Sequence, residues 1–86
     1  MKTQIHKVEI FSTPSCHYCH MTKDWMTQNK IEYVDYDVTQ DKTKRQELID
    51  LGAMGVPLIR ITPEGKEPEI LHGFEVDRLK VIFDVK

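Results

Sequence analysis

The sequence predicts an α/β fold with the order β-α-β-α-β-β-α: a four-stranded mixed sheet flanked by helices. Three observations predict it. Between residues 7 and 38 the apolar spacing passes from alternation to helical steps and back. A second helical stretch then ends at Gly52. Two further strand-like stretches meet at a Pro63–Gly65 turn before an amphipathic helix closes the chain.

Residues 7–12 alternate, with Val8 and Ile10 on one face, and Phe11 beside them marks a strand end buried on both sides. Pro14 breaks this strand and suits the approach to a helix. Over residues 16–29, Tyr18, Met21 and Trp25 recur at three- and four-residue steps with Met26 beside them. That spacing predicts a helix with these side chains turned to the core. Residues 31–38 are rich in β-branched and aromatic side chains and predict a second strand. A strand, helix and strand in succession give a parallel pair with a right-handed crossover.

Residues 39–52 predict a helix capped by Thr39 or Asp41, with Leu48, Ile49 and Leu51 as its apolar side. Its alternating charges between Asp41 and Glu47 read as a solvated face, with Lys44 and Arg45 as candidates to meet an anionic substrate. Residues 56–61 predict a third strand. Thr62-Pro63-Glu64-Gly65 places Pro at the second position of a type I turn. Residues 69–72 then return antiparallel to the third strand. Residues 75–85 form the last helix, with Val76, Leu79, Ile82 and Phe83 inward.

Eighty-six residues, 40% hydrophobic and 30% charged, fit one domain over residues 1–86 and exclude a collagen-like or low-complexity chain. A net charge of −2 offers no basic field, so neither nucleic acid nor a membrane surface is expected as a partner. The first seven residues contain no apolar run like that of a secretory signal. A cytoplasmic monomer is the expectation. Asp35 and Asp37 share a strand face, but no metal-ligand spacing accompanies them, so a polar sheet face is the expected reading.

Only two cysteines are present, Cys16 and Cys19. A bridge between them closes so small a loop that it removes little entropy from the unfolded chain. Such a pair is a poor staple, and in a cytosolic chain it points to catalysis or metal binding.

Ser12-Thr13-Pro14-Ser15-Cys16-His17-Tyr18-Cys19 resembles the glutaredoxin active-site segment, with Cys-His-Tyr-Cys where that family usually has Cys-Pro-Tyr-Cys. Gly55-Val56-Pro57-Leu58-Ile59 resembles the family's Thr-Val-Pro loop, and Gly73-Phe74 followed by Asp77-Arg78-Leu79 resembles the segment before its last helix. The three motifs occur in order across nearly the whole chain. The resemblance implies the thioredoxin fold in its minimal βαβαββα form and a dithiol–disulfide oxidoreductase acting on protein disulfides. It also implies that Tyr18, Val56, Pro57, Gly73, Phe74 and Asp77 contact substrate.

Physical chemistry assigns the two thiols different roles. Cys16 falls at the helix N-terminus, where free N–H groups and the helix dipole favour a thiolate, so its pKa should lie below the ~8.5 of a free thiol. Cys19, inside the helix, should stay protonated longer. Cys16 is then the nucleophile and Cys19 the resolving thiol. His17 and Thr13 border the pair and are candidates to modulate the thiolate; two solvated histidines, His17 and His20, are the plainer reading.

Other readings of the same residues differ in what they need. Cys16-His17-Tyr18-Cys19-His20 satisfies the c-type haem attachment pattern, but that reading leaves Val56-Pro57 without a role. Zinc or an iron–sulfur cluster needs more ligands than one helical turn supplies, unless two chains share a cluster. No cofactor beyond the redox-active cysteine pair is therefore expected. A cluster carrier or redox-regulated binding module on the same fold is the alternative from outside enzymology.

Pro57 opens a strand that should lie centrally in the sheet, where proline is normally excluded. A cis Val56–Pro57 bond in a tight turn and a trans proline at an edge or strand start both answer the conflict; the resemblance implies the cis bond. It would leave Val56 to pair with an extended substrate backbone.

Three departures from the family pattern bear on the reductant. Thr13 stands where the family commonly has Lys, Gly55 replaces a Thr, and Phe74-Glu75-Val76 replace the residues that hold the γ-glutamyl end of glutathione. These departures resemble redoxins reduced by an NAD(P)H-dependent flavoprotein disulfide reductase. A glutathione-dependent glutaredoxin is the alternative.

Overall fold

The computed structural model describes residues 5–85. In chain order its elements are β1 (Ile5–Ser12), α1 (His17–Gln28), β2 (Val34–Asp37), α2 (Lys42–Asp50), β3 (Leu58–Pro63), β4 (Glu69–His72) and α3 (Val76–Ile82). The sheet order is β2-β1-β3-β4, so β1 and β3 are central. β1 runs parallel to β2 and antiparallel to β3, and β4 runs antiparallel to β3. This is the thioredoxin fold that the sequence predicts.

Alternation along the strands splits the core between two faces. Val8, Ile10, Ile59, Ile61 and Leu71 meet Met26 of α1 and Leu79 of α3 on one face. Phe11 and Leu58 meet Val38 and Leu48 of α2 on the other.

Helix α1 is turned by one residue from the face that hydropathy predicts. Its buried residues are Cys19, Thr22 and Met26, whereas Tyr18 is 60% exposed and Met21 is also exposed. Trp25 lies half-buried against the edge of the core. Cysteine behaves here as a small hydrophobe. Thr22 can be buried because its hydroxyl donates to the Tyr18 carbonyl at 2.7 Å.

Other expectations need smaller corrections. β2 begins only at Val34, because the Ile31 N–H bonds back to the Met26 carbonyl at 2.9 Å and keeps the preceding loop on the helix end. Asp41, not Thr39, caps α2 by accepting from the Lys44 N–H at 3.0 Å. Ile49 is exposed, and Leu48 alone of the predicted apolar side is buried. The β3–β4 turn falls one residue later than predicted: the Lys66 N–H bonds to the Pro63 carbonyl at 3.2 Å, and Gly65 takes φ +73° at the third position. A positive φ there is cheap only for glycine. α3 is shorter at its C-terminal end, closing at Ile82 with Phe83 as its cap.

A charged cluster lies beneath α2 on the sheet face. Glu9, 3% exposed, pairs with Arg60 in the β1–β3 register. Arg60 donates to it through Nε at 2.7 Å and Nη2 at 2.8 Å, and the Tyr36 hydroxyl donates at 2.8 Å. Arg60 also reaches Glu47 of α2 at 2.6 Å, and Glu47 pairs with Lys44 at 3.1 Å. Lys44 lies 4.3 Å over the Tyr36 ring. Its partners make it part of this cluster, not a free cation awaiting substrate. The Arg60 hydrogen bonds, working against burial, hold the Glu9 carboxyl at about 2 instead of 4.5. Burial first, then the bond to Glu9, raises the Tyr36 phenol.

Candidate active site

The sheet register brings the motif-bearing segments to one end. Phe11 pairs with Leu58, and Leu58 with His72. The chain leaving β1 toward Cys16, the segment entering β3 through Pro57 and the segment leaving β4 through Gly73 therefore share one end of the sheet. The Gly73 N–H closes this arrangement on the Pro57 carbonyl at 2.9 Å.

Cys16 is the N-cap of α1, with extended backbone at φ −85° and ψ 111°. Its sulfur accepts the Cys19 N–H at 3.1 Å, filling the place that a hydroxyl or carboxylate oxygen takes in ordinary caps. A turn delivers it there: the Cys16 N–H bonds to the Thr13 carbonyl at 3.2 Å, with Pro14 and Ser15 between. Cys16 and Cys19 are joined as a disulfide, their Cα atoms 5.2 Å apart. The pair is asymmetric. Cys19 is fully buried, while Cys16 reaches the surface.

The neighbouring side chains divide. His17 is exposed, its ring edge-on to Tyr18 at 5.8 Å. His20, also exposed, turns back to the Pro14 carbonyl, 2.8 Å from its Nε2. At the end of β1, the Ser12 hydroxyl donates to Asp35 at 2.5 Å, and Lys23 of α1 pairs with the same carboxylate at 3.3 Å. Asp37 accepts from the Thr39 N–H at 2.9 Å and its hydroxyl at 2.6 Å. Both aspartates thus serve local structure. Among the described residues no group of three or more His, Cys, Asp or Glu side chains is placed to hold a metal ion.

The Val56–Pro57 peptide is cis and Pro57 is buried, immediately before the central strand β3. Val56 packs on the α2-side core. A groove of about 430 Å³ runs along this loop, lined by Gly52, Met54, Gly55, Val56, Pro57, His72 and Gly73. Met54 is fully exposed at 102%. The sequence reading gave no role to Met54 or His72; the signal for Met54 is an apolar residue among glycines just before the proline loop.

Phe74 packs against the core on the α1 and α3 side and stays half-exposed beside Gly73. Glu75 folds back to accept the His72 N–H at 3.0 Å. Asp77 is exposed in the first turn of α3.

Fold and site together define a thioredoxin-fold protein with a Cys-x-x-Cys site. Comparison with known proteins narrows this class. The glutaredoxin family model matches residues 8–65. A glutaredoxin-like protein of 8.6 kDa from the rubredoxin operon of Clostridium pasteurianum is 36% identical over 76 residues, covering 84% of this chain and 95% of that protein. The chain belongs to the glutaredoxin family. Among solved structures, the thioredoxin-like protein BC3987 superposes with a TM-score of 0.76 at 27% identity, covering 88% of this chain and 99% of that one. The NrdH-redoxin of Escherichia coli, a glutaredoxin-like protein, gives 0.74 at 18% identity, covering 88% and 93%; this likeness is one of fold.

Proposed function

We propose that this protein is a dithiol–disulfide oxidoreductase that reduces protein disulfides in the cytoplasm as a monomer. The observation that carries the reading is the asymmetric cysteine pair: Cys16 caps α1 at the surface and Cys19 lies buried one turn behind it. In the reduced protein, the N-terminal N–H groups of α1 favour the Cys16 thiolate. That thiolate attacks one sulfur of a substrate disulfide. The new bond is a mixed disulfide, and the other substrate sulfur leaves as a thiolate and takes up a proton. Cys19 then gives up its proton and attacks the Cys16 sulfur. The second substrate thiol departs, and Cys16–Cys19 is oxidised. Two electrons pass to the substrate, so the cysteine pair needs no resident cofactor. Val56 and Pro57 dock the substrate backbone, with Tyr18 and Met54 on its flanks.

A flavoprotein disulfide reductase using NAD(P)H resets the pair in this reading. Thr13 brings no charge to meet a glutathione carboxylate. Phe74 offers an apolar ring, partly packed on the core, where a polar group would hold glutathione, and Glu75 is engaged by the His72 backbone. The redoxin of Escherichia coli that shares this fold is described as having a thioredoxin-like activity profile, which accords with the same view.

The test is reduction of insulin disulfides by the purified protein with excess dithiol. A colourless protein that turns over supports the oxidoreductase. A brown protein with weak turnover supports a cluster carrier instead.

A further inference from the structure

We propose that His20 is a positioning residue for Cys16, acting through the Pro14 carbonyl. The inference deepens the reading of Cys16 as nucleophile and rests on it. A carbonyl oxygen can only accept, so the 2.8 Å contact requires His20 Nε2 to carry the proton and donate it. His20 stands on the first turn of α1, four residues after the Cys16 cap, and reaches back across that cap to the turn preceding it. The segment of residues 13–16 is thereby fastened at two carbonyls: Thr13 to the Cys16 N–H and Pro14 to the imidazole.

The two redox states use this clamp differently. In the disulfide, the Cys16 sulfur is tied covalently to Cys19, which is buried in α1. Reduction removes that tie. Pro14 and Ser15 are exposed, and Pro14 has no N–H with which to anchor itself. The imidazole then holds the turn that presents the Cys16 thiolate to the helix N-terminus. Its effect belongs to the reduced, attacking state and is small in the oxidised one.

The experiment uses the full chain with His20→Leu, which removes the donor, and His20→Gln, whose amide nitrogen lies at nearly the same reach and restores it. Amide hydrogen exchange at Cys16 is measured in the reduced and oxidised forms of each. Alkylation of Cys16 by iodoacetamide is followed from pH 5 to 9 in a Cys19→Ser background. A single hydrogen bond predicts an effect of several-fold, up to about tenfold. In reduced His20→Leu, Cys16 exchange should speed up and alkylation at neutral pH should slow by that factor. The oxidised forms should match the native protein, and His20→Gln should return both readings to within about twofold of native. Three outcomes would overturn the proposal: reduced His20→Leu behaving as native, His20→Gln as impaired as Leu, or an equal loss of protection in the oxidised form. Exchange at Cys16 needs no substrate, so it reads the clamp even if insulin reduction fails.

Discussion

Replacing Glu9 with glutamine should remove a stabilisation that is large at neutral pH and absent in acid. Glu9 is buried at the sheet centre and receives two bonds from Arg60 and one from Tyr36. Those bonds hold its carboxyl at about 2, against 4.5 for a free one. A carboxyl lowered on folding stabilises the folded state above its unfolded value. The contribution is lost as pH falls from about 4.5 through about 2. At 2.303RT per pH unit the full displacement is worth about 3 kcal/mol. This is a substantial part of the ~5–15 kcal/mol that stabilises an ordinary domain.

The assay is urea unfolding of the native protein and Glu9→Gln at pH 7, 5, 4, 3 and 2. At pH 7 the variant should be less stable by about 3 kcal/mol, in line with the cost of breaking a buried ion pair. The gap should hold to about pH 5 and narrow to near zero by pH 2. Glu47 remains to neutralise Arg60 in both proteins, so the other carboxyls titrate alike. A gap below 1 kcal/mol at pH 7, or one that does not shrink in acid, would refute the reasoning.

Met54→Asp should leave stability within about 0.5 kcal/mol of native, because the side chain is fully exposed. It should lower kcat/KM several-fold for an unfolded, disulfide-bonded polypeptide but not for a small aromatic disulfide; equal effects on both would remove Met54 from the groove's function. Steady-state reduction of a protein disulfide should run faster with a thioredoxin-reductase-type flavoprotein than with glutathione and glutathione reductase. A glutathione system faster by an order of magnitude would refute this choice of reductant and point to Asp77 with Lys42 and Arg45 of α2 as holders of the tripeptide.

The cysteine site was legible because its logic is local. A Cys-x-x-Cys at a strand-to-helix junction places one sulfur on the cap and the other one turn inside, and four residues of sequence carry both facts. The cis Val56–Pro57 bond was legible only through the family resemblance, because a proline just before a central strand is equally served by a trans bond at the strand start. The face of α1 was misread because the large side chains Tyr18, Met21 and Trp25 recur at helical steps, while Cys19 was read for its chemistry and Thr22 is polar. Thr22 is buried through a bond to a backbone carbonyl, which periodicity does not register. Glu9 was invisible altogether. Its partner Arg60 lies 51 residues later, and only the β1–β3 register brings the two together. The contact of His20 was obscured in the same way, since what it touches is set by side-chain direction.

The most direct measurement of the central claim is the trapping of mixed disulfides by single-cysteine variants. Reduced Cys19→Ser and Cys16→Ser are each incubated with oxidised insulin, and covalent adducts are counted by intact mass. Cys19→Ser should accumulate an adduct through Cys16, because attack proceeds while resolution is blocked. Cys16→Ser should form none at a comparable rate and should have lost all turnover. Adducts that form faster through Cys19 than through Cys16, or turnover that survives Cys16→Ser, would contradict the account.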